Sequence, residues 1–135
     1  MPSFGTLKAD TLTHSTAGSL ATNFVVNGVA KHWVKFEGDG TVAVSDSLNN
    51  SSITDNATGK YNFAFTSNFN TGDYCFAGGG TVDVGSYNVY MLIEHDNGGT
   101  TTSTIFTASM SPSSGGTLVD GELLSFTNTG DLACQ

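Results

Sequence analysis

In KYNFAFT the aromatic side chains Tyr61, Phe63 and Phe65 fall at every second position. Successive side chains of an extended chain leave on opposite faces, so this spacing describes a strand with one face in the core and one in water. A helix would need apolar residues every three or four positions, and no window of the chain shows that pattern convincingly. The alternation recurs. AKHWVKF sets Ala30, His32, Val34 and Phe36 on one face and Lys31, Trp33 and Lys35 on the other. TVAVSDS follows the turn signal EGDG, so the two runs read as a hairpin. SSIT leads through a turn at DNATG into KYNFAFT. DYCFAGG is a short strand ahead of the glycine triplet Gly78 to Gly80. SYNVYMLIEH and TSTIFTASM are strands joined by DNGG, the strongest local hairpin signal, and GELLSFT is the last strand. About seven or eight strands at this spacing give an all-β, antiparallel β-sandwich or jelly roll.

Residues 1–28 differ from the rest. They are rich in Thr, Ser and Ala, and their periodicity is weak until NFVVNG. Asn27-Gly28 is compatible with a hairpin turn or with the entry to the domain. The segment is read as an extended N-terminal arm ahead of a β-sandwich domain spanning 29–135. Phe4, Leu7 and Leu12 are spaced apolar anchors that an arm can place on a partner's sheet edge.

The composition narrows the partners. A chain of 135 residues supports one core. Its formal charge of −8 comes from 12 acids against four lysines, with no arginine. Such a surface repels phosphate backbones and anionic membranes, so neither nucleic acid nor a membrane is an expected partner. No apolar run is long enough to span a bilayer, and the start lacks the basic and apolar regions of a signal peptide. Ser, Thr, Asn and Gly supply nearly half of the residues. This neutral-polar surface is more common in secreted and viral β-proteins than in metabolic enzymes. Cys75 sits among apolar neighbours in YCFAG and reads as a small buried side chain. Cys134 lies near the C-terminus, and a bridge between the two is the less favoured alternative.

No constellation in the sequence amounts to an active site. There is no GxSxG elbow for a serine nucleophile. Glu94, Asp96, Asp120 and Glu122 lie near strand ends, where glycosidase carboxylates could sit but where solvated turn acids are far commoner. Glu94, His95 and Asp96 are adjacent, so along a strand they point to alternate faces and cannot readily converge on one metal. The EGDGT and DNATG turns lack the alternating ligands of a calcium loop. Asn49, Asn50 and Asn56 each begin a glycosylation sequon, a match expected by chance in a chain of this composition. The chain is therefore read as a non-enzyme without cofactor or metal. The candidate contact surface is the cluster Lys31, Trp33 and Lys35. Trp33 is amphipathic and either covers the second face of its strand or meets a partner subunit or ligand.

The segment AKHWVKFEGDGTVAVSDSLNNSSITDNATGKYNFAFT, preceded by GTLKADTLT, resembles a group of small bacteriophage virion proteins of the tail-fibre or fibre-like kind. The matching elements are Ala30–Phe36, the pair Asp46-Ser47, Ser51–Gly59, Tyr61–Thr66 and Asp73–Cys75. The resemblance covers roughly residues 5–79 and departs from the pattern at His32 and in EGDG; the long shaft of full tail fibres is absent. It implies a virion protein assembled in the host bacterial cytoplasm, attached by its N-terminal end to other virion proteins, and forming a homotrimer. It also implies a role at the host surface, with a surface glycan as ligand. Tail knob and capsid decoration protein both remain open, and a glycan-cleaving enzyme is the reading from another class.

Overall fold

The computed structural model describes residues 11–15, 18–82, 88–94, 98–112 and 115–133. Eleven strands and one short helix follow one another: β1 (Thr11–His14), β2 (Gly18–Ala21), α1 (Thr22–Gly28), β3 (Ala30–Glu37), β4 (Ala43–Leu48), β5 (Asn50–Ala57), β6 (Lys60–Phe65), β7 (Cys75–Thr81), β8 (Asn88–Ile93), β9 (Thr104–Ser111), β10 (Thr117–Leu118) and β11 (Leu123–Thr129). The fold is all-β and antiparallel. β1 and β2 form their own hairpin, and the remaining strands form one sheet in the order β4-β3-β11-β7-β8-β9-β6-β5, with β10 added on β9.

This sheet curls until its two edges meet. The edge strands β4 and β5 are consecutive in the chain and are separated only by Asn49. Asn49 has φ 58°, and it is the only non-glycine among the described residues in the left-handed region. Asparagine tolerates that conformation better than most residues, which lets the chain turn a corner in one step. The side chain then imitates a strand partner. Its Oδ1 accepts from the Ser67 N–H at 2.6 Å, and its Nδ2 donates to the Ser67 carbonyl at 3.0 Å. The result is a nearly closed, two-layered β-barrel.

The core is aromatic. Phe36 packs edge-on against Tyr61 and Phe63, with ring centroids 5.1 and 5.0 Å apart, and Phe63 meets Phe126 at 4.8 Å. These contacts join β3 and β11 on one side to β6 on the other. The alternating positions His32, Val34, Phe36 and Tyr61, Phe63, Phe65 are all buried, as their spacing predicts. Glycines make room for them. Gly78 and Gly80 face inward from β7, opposite Phe126 and Leu124 on β11. A Cβ on Gly78 would lie 2.5 Å from the Phe126 Cβ, so a larger residue there would collide with the core.

Several local expectations are corrected. The glycine triplet lies within β7 instead of following it, because these glycines supply the inward space. Cys75 is exposed, not buried, since inward places on β7 fall to Phe76, Gly78 and Gly80. β5 continues through Asp55 and Asn56 to Ala57, and the turn shrinks to Thr58-Gly59, with Gly59 at φ 67°. β8 and β9 pair as antiparallel neighbours, β8 ending at Ile93 and β9 starting at Thr104; residues 95–97, which include the start of DNGG, lie outside the described residues. The arm is not a simple extended strand either: its described part is the β1–β2 hairpin followed by α1. With seven residues, α1 is too short for a helical period to stand out in the sequence.

The ends of the barrel differ. At the end where β3 begins lie the Asn49 corner, the 66–74 segment and residues 130–133. Asn70 N–H donates to the Asp131 carbonyl at 2.8 Å, and Ala133 N–H to the Asn68 carbonyl at 2.9 Å, so this end is stitched shut. At the opposite end the β3–β4 loop, the β5–β6 turn and the 119–122 segment come together. There Asp120 Oδ1 accepts from the Gly59 N–H at 2.6 Å and from the Tyr61 hydroxyl at 3.0 Å.

Candidate functional site

The outward face of β3 carries the basic and aromatic cluster singled out in the sequence. Lys31, Trp33 and Lys35 alternate with the buried His32 and Val34, so the core fixes which way they point. Trp33 is half-buried and lies across from Leu48 on β4 and Thr127 on β11. It therefore belongs to the outer surface of the barrel and not to its core. Lys35 is exposed and sits opposite Asp46, a pairing that offsets part of its charge. Lys31 Nζ donates to the Val29 carbonyl at 3.3 Å.

Beside this cluster, at the Asn49 corner, an open groove of about 380 Å³ is lined by Ala30, Lys31, Leu48, Asn49, Thr66, Ser67 and Leu132. Its floor is mainly aliphatic, and its polar groups are the Lys31 ammonium and the Thr66 and Ser67 hydroxyls. The Asn49 amide is already committed to Ser67. Such a groove can hold a small neutral or anionic polar ligand. A second, more polar cleft of about 350 Å³ lies between Asn27 at the end of α1 and Asp73, Cys75 and Asp131 on the barrel.

His32, the ionisable neighbour of this cluster in the sequence, lies directly beneath it on the buried face of β3. It is fully buried, with its ring 4.9 Å from Phe65 and 5.2 Å from Phe126. Its Nδ1 lies 3.1 Å from the Asn128 amide nitrogen, and its Nε2 lies 3.5 Å from the Asn50 Oδ1. These contacts suit a neutral ring that accepts at Nδ1 and carries its proton on Nε2. Burial pushes its pKa down from 6.5 to about 4, opposed in part by the Asn50 contact. The signal was present in the alternation, which had placed His32 on the Val34 and Phe36 face.

Two of the four carboxylates weighed as catalytic, Glu94 and Asp120, have partners within the fold. Glu94 forms an ion pair with Lys60, and Asp120 holds the Gly59 N–H and the Tyr61 hydroxyl. Burial, and then Asp120, raise the pKa of that hydroxyl well above the usual phenol value. Asp96 and His95 fall outside the described residues. Among the described residues no three His, Cys, Asp or Glu side chains are grouped to hold a metal ion, and no helix is long and apolar enough to cross a membrane.

Of the three arm anchors, Phe4 and Leu7 lie outside the described residues, as does Cys134. Leu12 lies on β1 and is 42 % exposed. Around it the hairpin and helix expose further apolar side chains, including Leu20, Phe24 at 65 % and Val26. None of the described residues in 11–28 belongs to the hydrophobic core of the barrel. Comparison with protein-family models, with curated proteins and with solved structures finds no match to this chain.

Proposed function

We propose that this chain is a structural component of a bacteriophage virion, an exposed fibre-like or tail-associated β-knob held to the particle by its N-terminal module and presented to the host surface. The observation that carries this reading is the module itself. A hairpin of two four-residue strands and a two-turn helix are too small to be stable alone in water, yet they expose Leu12, Leu20, Phe24 and Val26. Elements of this kind gain order and burial by docking on another surface. They leave the barrel at the stitched end, while Glu37, Asp39, Asp55, Asp120 and Glu122 cluster about the opposite end. An attachment pole and an acidic, solvent-facing pole suit a domain that projects from a large assembly. The Lys31, Trp33 and Lys35 cluster on the side wall is the surface offered to a host glycan, and copies of the chain associate on the particle as a homotrimer.

Quantitative mass spectrometry of purified particles tests the reading. The full chain should be found on particles, and a variant lacking residues 1–28 should fold in solution yet be missing from them. Particles that never contain the full chain, or that take up the truncated chain at full occupancy, would refute it. A copy number in the hundreds would place the protein on the capsid instead of the tail.

A further inference from the structure

The charged residues of this chain are unevenly distributed around the barrel. β3, β4, β5 and β6 each contain lysine or acid, and the Asn49 corner brings them together as one half of the wall. The other half is β11-β7-β8-β9, four neighbouring strands with no Asp, Glu, Lys or Arg in any of them. Their outward side is also unusually apolar. Tyr90 is 58 % and Leu92 45 % exposed, and they lie beside half-buried Phe106 and Met110 and the small residues Ala77 and Gly79. On the β9 side Glu94 and Lys60 form an ion pair, and on the β11 side the charged half begins at Lys35, opposite Ser125.

We infer that this neutral half of the wall is where copies of the chain meet. The argument rests on charge and area. A protomer of charge −8 repels its own copy, and the repulsion is least where neither surface carries a charge. A neutral apolar face can meet a neighbouring copy without a like-charge penalty, which an acidic face cannot. Four strands about 4.8 Å apart, each about 20 Å long, form a patch on the order of 400 Å² in projection. That is about half of the roughly 800 Å² per partner of a standard interface, which suits a weak, concentration-dependent association, and exposed apolar patches of a few hundred Å² commonly mark association sites. Small residues on β7 leave Tyr90 and Leu92 as the anchors that would be covered. The Trp33 cluster lies on the charged half and stays free for other contacts. This assignment concerns self-association alone and holds wherever the protein resides.

Sedimentation velocity of the full chain from about 5 to 500 µM, with Leu92→Glu and Tyr90→Lys beside the parent, tests it. The parent should sediment as a multimer of the 14.0 kDa chain at the upper concentrations. Both substitutions lie on exposed strand positions, and each should shift the species to the monomer with the circular dichroism and melting profile kept. Trp33→Ala should leave the multimer intact. A parent that stays monomeric throughout overturns the inference, as does a Trp33→Ala variant that dissociates while Leu92→Glu does not. Should either charged variant fail to fold, Leu92→Ser and Tyr90→Ser replace it, and multimers of parental strength in both of these would overturn it too.

Discussion

Acid should destabilise this protein through His32 before the carboxylates account for the loss. The ring is fully buried, packs on Phe65 and Phe126, and is held neutral with a pKa of about 4, against 6.5 in the unfolded chain. The sign follows from linkage. Above pH 6.5 the ring is neutral in both states and its contribution is complete. Between 6.5 and 4 the unfolded chain takes up a proton that the folded chain refuses, so stability falls. Below 4 both states are protonated and nothing further is lost. The 2.5-unit gap between those values corresponds to about 3 kcal/mol, a large part of the ~5–15 kcal/mol of a typical domain. To isolate the imidazole from every other acid effect, the comparison must be with His32→Gln, which stays neutral at every pH. Urea unfolding from pH 7.5 to 4 should show the parent losing about 3 kcal/mol more than the variant. Parallel curves for the two proteins would refute the reasoning, as would an imidazole titrating near 6.5 in the folded protein by NMR.

Two further substitutions probe the core. Phe36→Ala removes a ring that joins Tyr61 and Phe63 and should cost about 3–5 kcal/mol, read as a lower urea midpoint at unchanged slope. Gly78→Ala places a methyl against the Phe126 and Met91 Cβ atoms and should cost about 1–3 kcal/mol, whereas Ala77→Ser on the outer side of the same strand should be nearly neutral by the same measurement.

The parts of the fold that alternation dictates were legible in the sequence, and the parts set by closure were not. Tyr61, Phe63, Phe65, Val34 and Phe36 announce their faces because a strand buried on one side must repeat every second residue. The final strand is readable from Leu124 and Phe126 for the same reason. Cys75 misled because alternation gives two phases, and the choice between them rested on its neighbours' hydrophobicity. Phe76 and the glycines after it took the inward phase, since only they fit opposite Phe126 and Leu124. The division of the barrel into charged and neutral halves depends on strand order, which joins residues about 50 positions apart in β11 and β7 and cannot be read along the chain. Trp33 was placed on the correct face by the same alternation, but the groove beside it exists only because the 66–67 and 132 segments come to the Asn49 corner.

That corner makes a separable demand on backbone and side chain, and paired substitutions can measure each. Asn49 holds φ 58° and also makes two hydrogen bonds to Ser67, while its carbonyl accepts from the Thr66 N–H at 3.1 Å. Asn49→Gly keeps the conformation and loses only the side-chain bonds, at about 1 kcal/mol each, for a cost of about 2 kcal/mol. Asn49→Ala loses the same bonds and adds the steric cost of a left-handed alanine, about 1 kcal/mol more. Both variants should therefore be destabilised, with alanine the worse by about 1 kcal/mol in urea unfolding. Amide exchange should quicken first at Thr66 and Ser67, the two N–H groups that the corner engages. If glycine proved as stable as asparagine, the Ser67 bonds would contribute nothing. If alanine proved equal to glycine, the left-handed turn would not be what lets β4 pass directly into β5 and bring the edges of the sheet together.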